Sequence, residues 1–243
     1  MSRVRLDQLL LDRGLVSSRE RARALVIAGQ VSVDGQPVTK AGTAVDERAD
    51  VALIAPDHPY VGRGGLKLAH ALDAFQIAVA GRECLDVGAS TGGFTDVMLQ
   101  RGAARVVALD VGHGQLDWRL RNDARVVVLE HVNARTLTRD QLPSAVDLVT
   151  IDVSFISLAR ILPVVPPLLT TGADIVALVK PQFEAGRDEV RKGIIRDSAI
   201  HERVLDDVVA AGAEVGLTRV ASTPSPITGQ KGNVEFLVHF RTS

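Results

Sequence analysis

Ten residues near the middle of the chain carry its clearest chemical pattern: Leu85-Asp86-Val87-Gly88-Ala89-Ser90-Thr91-Gly92-Gly93-Phe94. An apolar run ends in Asp-x-Gly, and a Gly-Gly pair opens the next helical stretch. A glycine-rich turn between strand and helix lets a ligand approach the backbone, at the strand end where open α/β sheets bind ligands. The glycines do not fit the dinucleotide spacing G-x-G-x-x-G, and the Lys-Ser/Thr of a phosphate-binding loop is absent. Asp86 places a negative charge near the turn, which disfavours a pyrophosphate and suits an ammonium. Asp110 closes the next apolar run, where a carboxylate accepts from both hydroxyls of a ribose. Ammonium, sulfonium and ribose together favour S-adenosylmethionine over NAD. The plainer alternative, that Gly88, Gly92 and Gly93 only make turns and Asp110 only ends a strand, has to explain their joint placement. Ser90 and Phe94 belong to the same pocket. Asn133, in Glu-His-Val-Asn-Ala-Arg, is a candidate for the adenosine end and equally a turn-forming Asn.

Two more charged residues end apolar runs. Asp152 closes Val146-Asp-Leu-Val-Thr-Ile-Asp152, and Lys180 closes Ile175-Val-Ala-Leu-Val-Lys180. If both runs are strands, both side chains emerge at the ligand-bearing edge of the sheet.

The elements that must position these residues are legible from Glu83 onward. Apolar runs at 84–88, 105–110, 125–129, 146–152 and 175–180 read as strands, with helices over 94–101 and 198–211. Strands alternating with helices imply a doubly wound parallel sheet. Two final strands, 215–221 and 234–240, read as an antiparallel pair at one edge. A helix from about Gly65 to Phe75 precedes the first strand. The expected fold is therefore α/β: a Rossmann-like seven-stranded sheet, mostly parallel, with an antiparallel edge.

The first sixty residues differ. Leu6, Leu9, Leu10 and Leu11 predict a helix over 3–13 that Gly14 ends. Ser17 or Ser18 caps a second helix running to Ala28, and Gly29 stops it. Val31-Ser-Val-Asp-Gly-Gln-Pro-Val38 is a hairpin signal, because a type I′ turn needs positive φ at both central residues. Val51–Ile54 closes this small α+β domain. Ala55 to Gly62, with Pro56 and Pro59, reads as a linker. The expected boundaries are 1–56, a linker at 57–63, and 64–243.

Composition narrows the classes. The net charge of −1 excludes a generic polyanion binder, so affinity for nucleic acid has to be local. The first thirty residues supply such a patch, with six arginines against three acids. A single cysteine, Cys84, excludes an internal disulfide and a Cys-rich zinc site, and no metal site is expected. The start lacks an apolar signal core, and Ile161–Leu169 is too short and proline-rich to span a bilayer. A cytoplasmic protein without a membrane partner is the expectation. Oligomeric state is written in no feature of the sequence.

Residues 63–240 resemble the FtsJ-type RNA ribose 2′-O-methyltransferases, and the whole chain resembles the TlyA (hemolysin A) family. That resemblance implies rRNA or ribosomal subunits as partner, S-adenosylmethionine as cofactor and the ribose 2′-hydroxyl of cytidine as methyl acceptor. It also implies a Lys-Asp-Lys-Glu tetrad, which falls here on Lys67 (Arg-Gly-Gly-Leu-Lys), Asp152, Lys180 and Glu235 (Gly-Asn-Val-Glu-Phe). Lys67 and Glu235 enter mainly on the resemblance. A lysine acts as base only if its pKa falls from about 10.4 towards neutral. Desolvation and a second ammonium push it down while two carboxylates push it up. On this reading Lys180 is the base and the other three orient it and the ribose.

The front segment resembles the alpha-L RNA-binding module of ribosomal small-subunit protein four, through Arg5-Leu-Asp-Gln-Leu-Leu, Ser18-Arg-Glu-Arg-Ala-Arg and Gly29-Gln-Val-Ser-Val-Asp-Gly. Its RNA contacts would be Arg3, Arg5, Arg19, Arg21 and Arg23, since arginine forks suit phosphate oxygens. A second basic stretch, Arg187, Arg191 and Lys192, is either an RNA-ordered loop or a plain surface loop. Ser222–Asn233 is a candidate lid. The competing classes are a noncatalytic ribosome-assembly factor with a vestigial methyltransferase fold, a membrane-lytic hemolysin and a small-molecule methyltransferase. An intact glycine loop, the lack of a membrane-length or basic amphipathic segment and the front RNA module argue against them in that order.

Overall fold

Arg3–Arg5 is a strand, β1, and not the first turn of a helix. It pairs antiparallel with Ala44–Asp46, and the helix α1 starts only at Leu6 and ends at Asp12. Leucine spacing predicts the helix but cannot reveal the distant strand that takes its first three residues. The computed structural model describes residues 3–16, 18–27, 29–54, 58–186, 188–190 and 192–242. These form two compact units, Met1–Pro59 and Tyr60–Ser243. In the first, α2 (Arg19–Ile27) is capped by Ser18, whose Oγ accepts from Arg21 N at 3.1 Å. Ser17 and Ala28 lie outside the described residues. The strands β2 (Val31–Val33) and β3 (Gln36–Pro37) are joined by Asp34-Gly35, with φ of 50° and 77° as a type I′ turn requires. The strands β4 (Ala44–Asp46), paired with β1, and β5 (Val51–Leu53), paired with β2, complete the unit. Leu6, Leu9, Leu10, Ala22, Val26 and Val31 form its core.

The second unit opens with α3 (Gly64–Ala74) and continues with β6 (Glu83–Val87), α4 (Gly93–Gln100), β7 (Arg105–Leu109) and α5 (Trp118–Arg121). The strands β8 (Val126–Leu129), β9 (Val146–Ile151) and β10 (Leu169–Val179) follow. After α6 (Pro181–Glu184) and α7 (Ser198–Glu214) come β11 (Leu217–Pro224) and β12 (Phe236–Thr242). They form one seven-stranded sheet in the order β11-β12-β10-β9-β6-β7-β8. The run from β10 to β8 is parallel, and β12 lies antiparallel between β11 and β10. The expected mostly parallel sheet with an antiparallel edge is what forms. The largest excess over a predicted length is at β10, whose polar first half crosses a register break between Leu169 and Asp174. The Ile161–Leu169 stretch, with Pro163, Pro166 and Pro167, forms short 3₁₀ turns.

One face of the sheet packs Leu85, Val149, Ile175 and Val238 against α7 and the 3₁₀ segments, burying Val204 and Leu162. The other packs Cys84, Leu148, Val176 and Leu237 against α3 and α4, burying Leu68 and Met98. Neighbouring residues along each strand thus face opposite layers, so the central strands read as continuous apolar runs. The register Val87↔Ile151 brings Gly88 and Asp152 to the same edge. The register Val179↔Phe236 brings Lys180 and Glu235 there as well. No helix among the described residues is long and apolar enough to cross a membrane.

Candidate active site

Two cavities meet at that edge. One, of about 930 Å³, runs over the ends of β6, β7 and β9 and is lined by Gly88, Ser90, Asp110, Asn133, Asp152 and Phe155. The other, of about 530 Å³, lies beside α3 and α4 and is lined by Lys67, Gly93, Phe94, Asp152, Thr228 and Lys231. Gly88, Ser90, Asp152 and Gln230 border both. Each volume falls in the range that holds a small organic ligand, roughly 300–1,000 Å³.

The four tetrad positions pair at this junction. Lys180 Nζ makes an ion pair with Asp152 Oδ1 at 2.5 Å and donates to Ser154 Oγ at 2.9 Å. Lys67 Nζ donates to Glu235 Oε2 at 2.5 Å, a contact between residues 168 positions apart. Lys67, Lys180 and Glu235 are buried, whereas the Asp152 side chain keeps 21% exposure towards the cavities. Two cations and two anions balance, so burial leaves no uncompensated charge. Lys180 sits where β10 turns into α6, and Pro181 at the first helical position fixes that turn. Lys67 is delivered by α3, whose Gly65 packs so tightly that an added Cβ would sit 2.4 Å from Tyr60 Cγ.

The glycine loop is shaped by close approach. Gly88 has φ of 87°, and a Cβ there would lie 2.5 Å from Asp152 O. Asp110 lines the larger cavity and is held by the loop: Oδ2 accepts from Ser90 N and Oδ1 from Gly112 N, both at 2.8 Å. Each oxygen retains a second lone pair. Asn133 Oδ1 accepts from Arg135 N at 3.0 Å, so the turn-forming role is real, and the same residue also lines the cavity. Gly93 and Phe94 border the smaller cavity, while Gly92 faces Leu116 and Leu120.

Asp86 borders neither cavity. It is fully buried beneath the loop, accepting from Thr95 Oγ1 at 2.7 Å and from Thr150 Oγ1 at 3.0 Å. Burial pushes its carboxyl up to about 7, against the opposing pull of those hydroxyls, and the nearby Asp152 charge adds to the rise. A folded-state value raised above the unfolded one means that the group favours the fold below about pH 4. That benefit fades as pH rises to about 7. Asp86→Asn, whose amide can donate to the same hydroxyls, is therefore expected to gain stability relative to the parent as pH rises from 4 to 7. The gain should reach several kcal/mol at most and then level off. Urea unfolding at pH 5 and pH 8 checks this, and an equal difference at both values would refute it.

The front arginines divide. Arg5, Arg19 and Arg23 converge on the buried Asp7, at 2.8, 3.3 and 4.0 Å. Arg21 instead donates to His58 O at 2.9 Å, and Arg3 lies on β1. Arg187 and Arg191 lie outside the described residues, as do residues 55–57 of the expected linker. Lys192 borders neither active-site cavity, and its carbonyl accepts from Lys231 Nζ at 3.2 Å. In the candidate lid, Ser222–Pro224 belongs to β11 while Thr228–Gly232 walls the smaller cavity.

Sequence reasoning missed several site residues. Ser154 reaches Lys180 only through the bend after β9. Phe155, 83% exposed with φ of 63°, tilts against Phe183 at a centroid separation of 4.9 Å on the rim of the larger cavity. Arg63 and Lys231 border the smaller one. The basic Arg63-Gly-Gly-Leu-Lys67 stretch was a signal for Arg63, whereas nothing local announces that Phe155 and Phe183 meet.

Fold and site together define a methyltransferase. Residues 60–242 match the FtsJ-like methyltransferase family and residues 4–51 the S4 domain. The chain is 50% identical over 242 residues to the Mycobacterium tuberculosis 16S/23S rRNA (cytidine-2′-O)-methyltransferase TlyA, covering 99% of this chain and 90% of that one. A hemolysin-like protein of Streptococcus thermophilus superposes with a TM-score of 0.79 at 44% identity, covering 100% of this chain and 90% of that one. An S-adenosylmethionine-dependent methyltransferase of Mesorhizobium loti, 18% identical, shares the fold of 74% of this chain over its whole length, with a TM-score of 0.56. The chain belongs to the TlyA (hemolysin A) family of FtsJ-like methyltransferases and carries an S4 domain at its front.

Proposed function

We propose that this chain transfers the methyl group of S-adenosylmethionine to the ribose 2′-hydroxyl of a cytidine in rRNA. The observation that carries this reading is Asp152: ion-paired to Lys180, it borders both cavities, so the tetrad stands where donor and acceptor would meet. The larger cavity fits the cofactor by its chemistry. Asp110 offers lone pairs to ribose hydroxyls, Asn133 offers its amide to a base, and Gly88 leaves open the space a side chain would fill. When bound, S-adenosylmethionine supplies an electrophilic methyl on a sulfonium. The smaller cavity, with Arg63 and Lys231 on its walls, suits a nucleotide and its phosphate.

Lys180 would hold the hydroxyl through Nζ and take its proton as the new C–O bond forms and the methyl's C–S bond breaks, the neutral thioether S-adenosylhomocysteine being the leaving group. Asp152, ion-paired to the same Nζ, fixes its direction. Lys67 borders the smaller cavity, and its pair with Glu235 holds it there. The S4 match supports RNA as substrate, and the name of the mycobacterial relative supports cytidine 2′-O-methylation. Residues 1–56 would bind RNA, 57–63 would link, and 64–243 would catalyse.

The test is methyl transfer from labelled S-adenosylmethionine to purified ribosomal subunits and to their extracted rRNA, followed by nucleoside analysis. Label in 2′-O-methylcytidine is the expected result. Label on a base, or none on any RNA, would overturn the reading.

A further inference from the structure

Among the described residues of the front unit, whose positive charge is concentrated in its first thirty residues, Asp7 is the one acid drawn fully inside. Its side chain is 0% exposed although it lies in the first turn of α1. Arg5 grips it with both arms of a fork, Nε to Oδ1 at 3.0 Å and Nη2 to Oδ2 at 2.8 Å. Arg19 Nε donates to Oδ2 at 3.3 Å, and Arg23 Nε lies 4.0 Å from the same oxygen. Arg19 and Arg23 are one helical turn apart on α2, so they share a face, while Arg5 arrives from the end of β1. The three arginine side chains stay about half exposed or more, at 49%, 46% and 62%. Gly42 closes over Arg5, since a Cβ there would lie 3.1 Å from Nη1. The bonds to Asp7 use Nε of Arg19 and Nε with one Nη2 proton of Arg5, leaving most Nη donors of both unused by the carboxylate.

An isolated surface arginine loses side-chain entropy when it orders on a phosphate. A buried carboxylate shared by three arginines removes much of that loss in advance and still leaves a net positive cluster. We propose that Asp7 is the positioning residue of the RNA site: it holds Arg5, Arg19 and Arg23 as one preordered phosphate clamp for the backbone of a folded RNA. This rests on the RNA-binding reading of the front unit. The neighbouring guanidinium groups hold the Asp7 carboxyl down at about 2, so the clamp stays charged across the physiological range.

The expected effect of losing Asp7 is opposite in sign to simple electrostatics. Removing a negative charge beside a polyanion site should strengthen binding. If Asp7 organises the clamp, Asp7→Asn in the full chain weakens binding to extracted rRNA about tenfold at physiological salt. The slope of log affinity against log salt should also shrink by about one for each phosphate that the clamp no longer grips. Melting of the variant establishes the folded fraction, and only folded protein is counted. Equal or tighter binding by folded Asp7→Asn overturns the proposal. Failure of the parent chain to bind rRNA overturns instead the RNA-binding reading beneath it.

Should the variant fail to fold, the parent protein decides the question by NMR of the arginine Nε–H groups. Arg5 and Arg19 are expected to be rigid and slowly exchanging before RNA is added. Fast-moving Nε–H groups at both positions would sink the clamp.

Discussion

Lys180→Met is expected to lower the methyl-transfer rate at least a thousandfold while changing S-adenosylmethionine affinity no more than about threefold. The split follows from the geometry. Lys180 stands behind Asp152 at the junction of the cavities and does not border the larger one, so the cofactor loses no direct partner. The hydroxyl loses its proton acceptor, and general base catalysis alone accounts for roughly 10²–10⁴ in rate. Loss of the contact through which Nζ orients the nucleophile adds to this. With chemistry rate-limiting, the parent rate should climb between mildly acidic and mildly basic pH, and the residual rate of the variant should be flat. Single-turnover methylation across that range, with calorimetry for the cofactor, checks both. A variant within tenfold of the parent, or a parent rate that is flat or falls with pH, would remove Lys180 from the role of base.

Lys67→Met provides the contrast. Its partner Glu235 is 3% exposed, whereas Asp152, left alone in Lys180→Met, keeps 21%. Stranding a buried carboxylate costs about 3–5 kcal/mol, and partial exposure reduces that. The Lys67 variant should therefore lose more stability, and the Lys180 variant more rate per unit of stability lost.

These two pairs also show what a linear sequence can and cannot reveal. Asp152 and Lys180 are legible because each ends an apolar run, and the ends of parallel strands share one edge. Lys67 and Glu235 have no such signature. One lies on a helix and the other just before a strand, 168 positions away, and mainly family resemblance brings them in. Asp86 illustrates the converse error of scale: its charge does lie near the loop, as its place in the sequence implies, but strand alternation turns the side chain beneath it, onto Thr95 and Thr150. The α1 boundary fails similarly. Nothing in Arg3-Val-Arg indicates that Ala44–Asp46 will claim it as a strand partner. Periodicity reports which face is buried; it is silent on which distant segment does the burying. The same limit hides Phe155 and Phe183, which approach each other only because the bend after β9 meets α6.

Gly88 is where fold and chemistry are least separable, and Gly88→Ala should damage both. At φ of 87° an L-residue already costs roughly 1–3 kcal/mol. The new Cβ would also stand 2.5 Å from Asp152 O and 3.0 Å from Asp152 C, backbone atoms that no rotamer change can move aside. Either the loop lifts out of the larger cavity or the end of β9 retreats, carrying Asp152 away from the junction. Misplacement of about 1 Å can cost a hundredfold in rate, so methyl transfer should fall at least that far and cofactor affinity at least tenfold. Gly81→Ala isolates the backbone cost. It has φ of 77°, lies outside both cavities, and a Cβ there meets nothing within 4 Å. That variant should lose only the same backbone cost, roughly 1–3 kcal/mol, and keep its activity. The difference in unfolding free energy between the two variants then measures the collision with Asp152. If they unfold alike and Gly88→Ala methylates at the parent rate, the close approach of the loop to β9 does not align the site, and the alignment must come from the Lys180 ion pair alone.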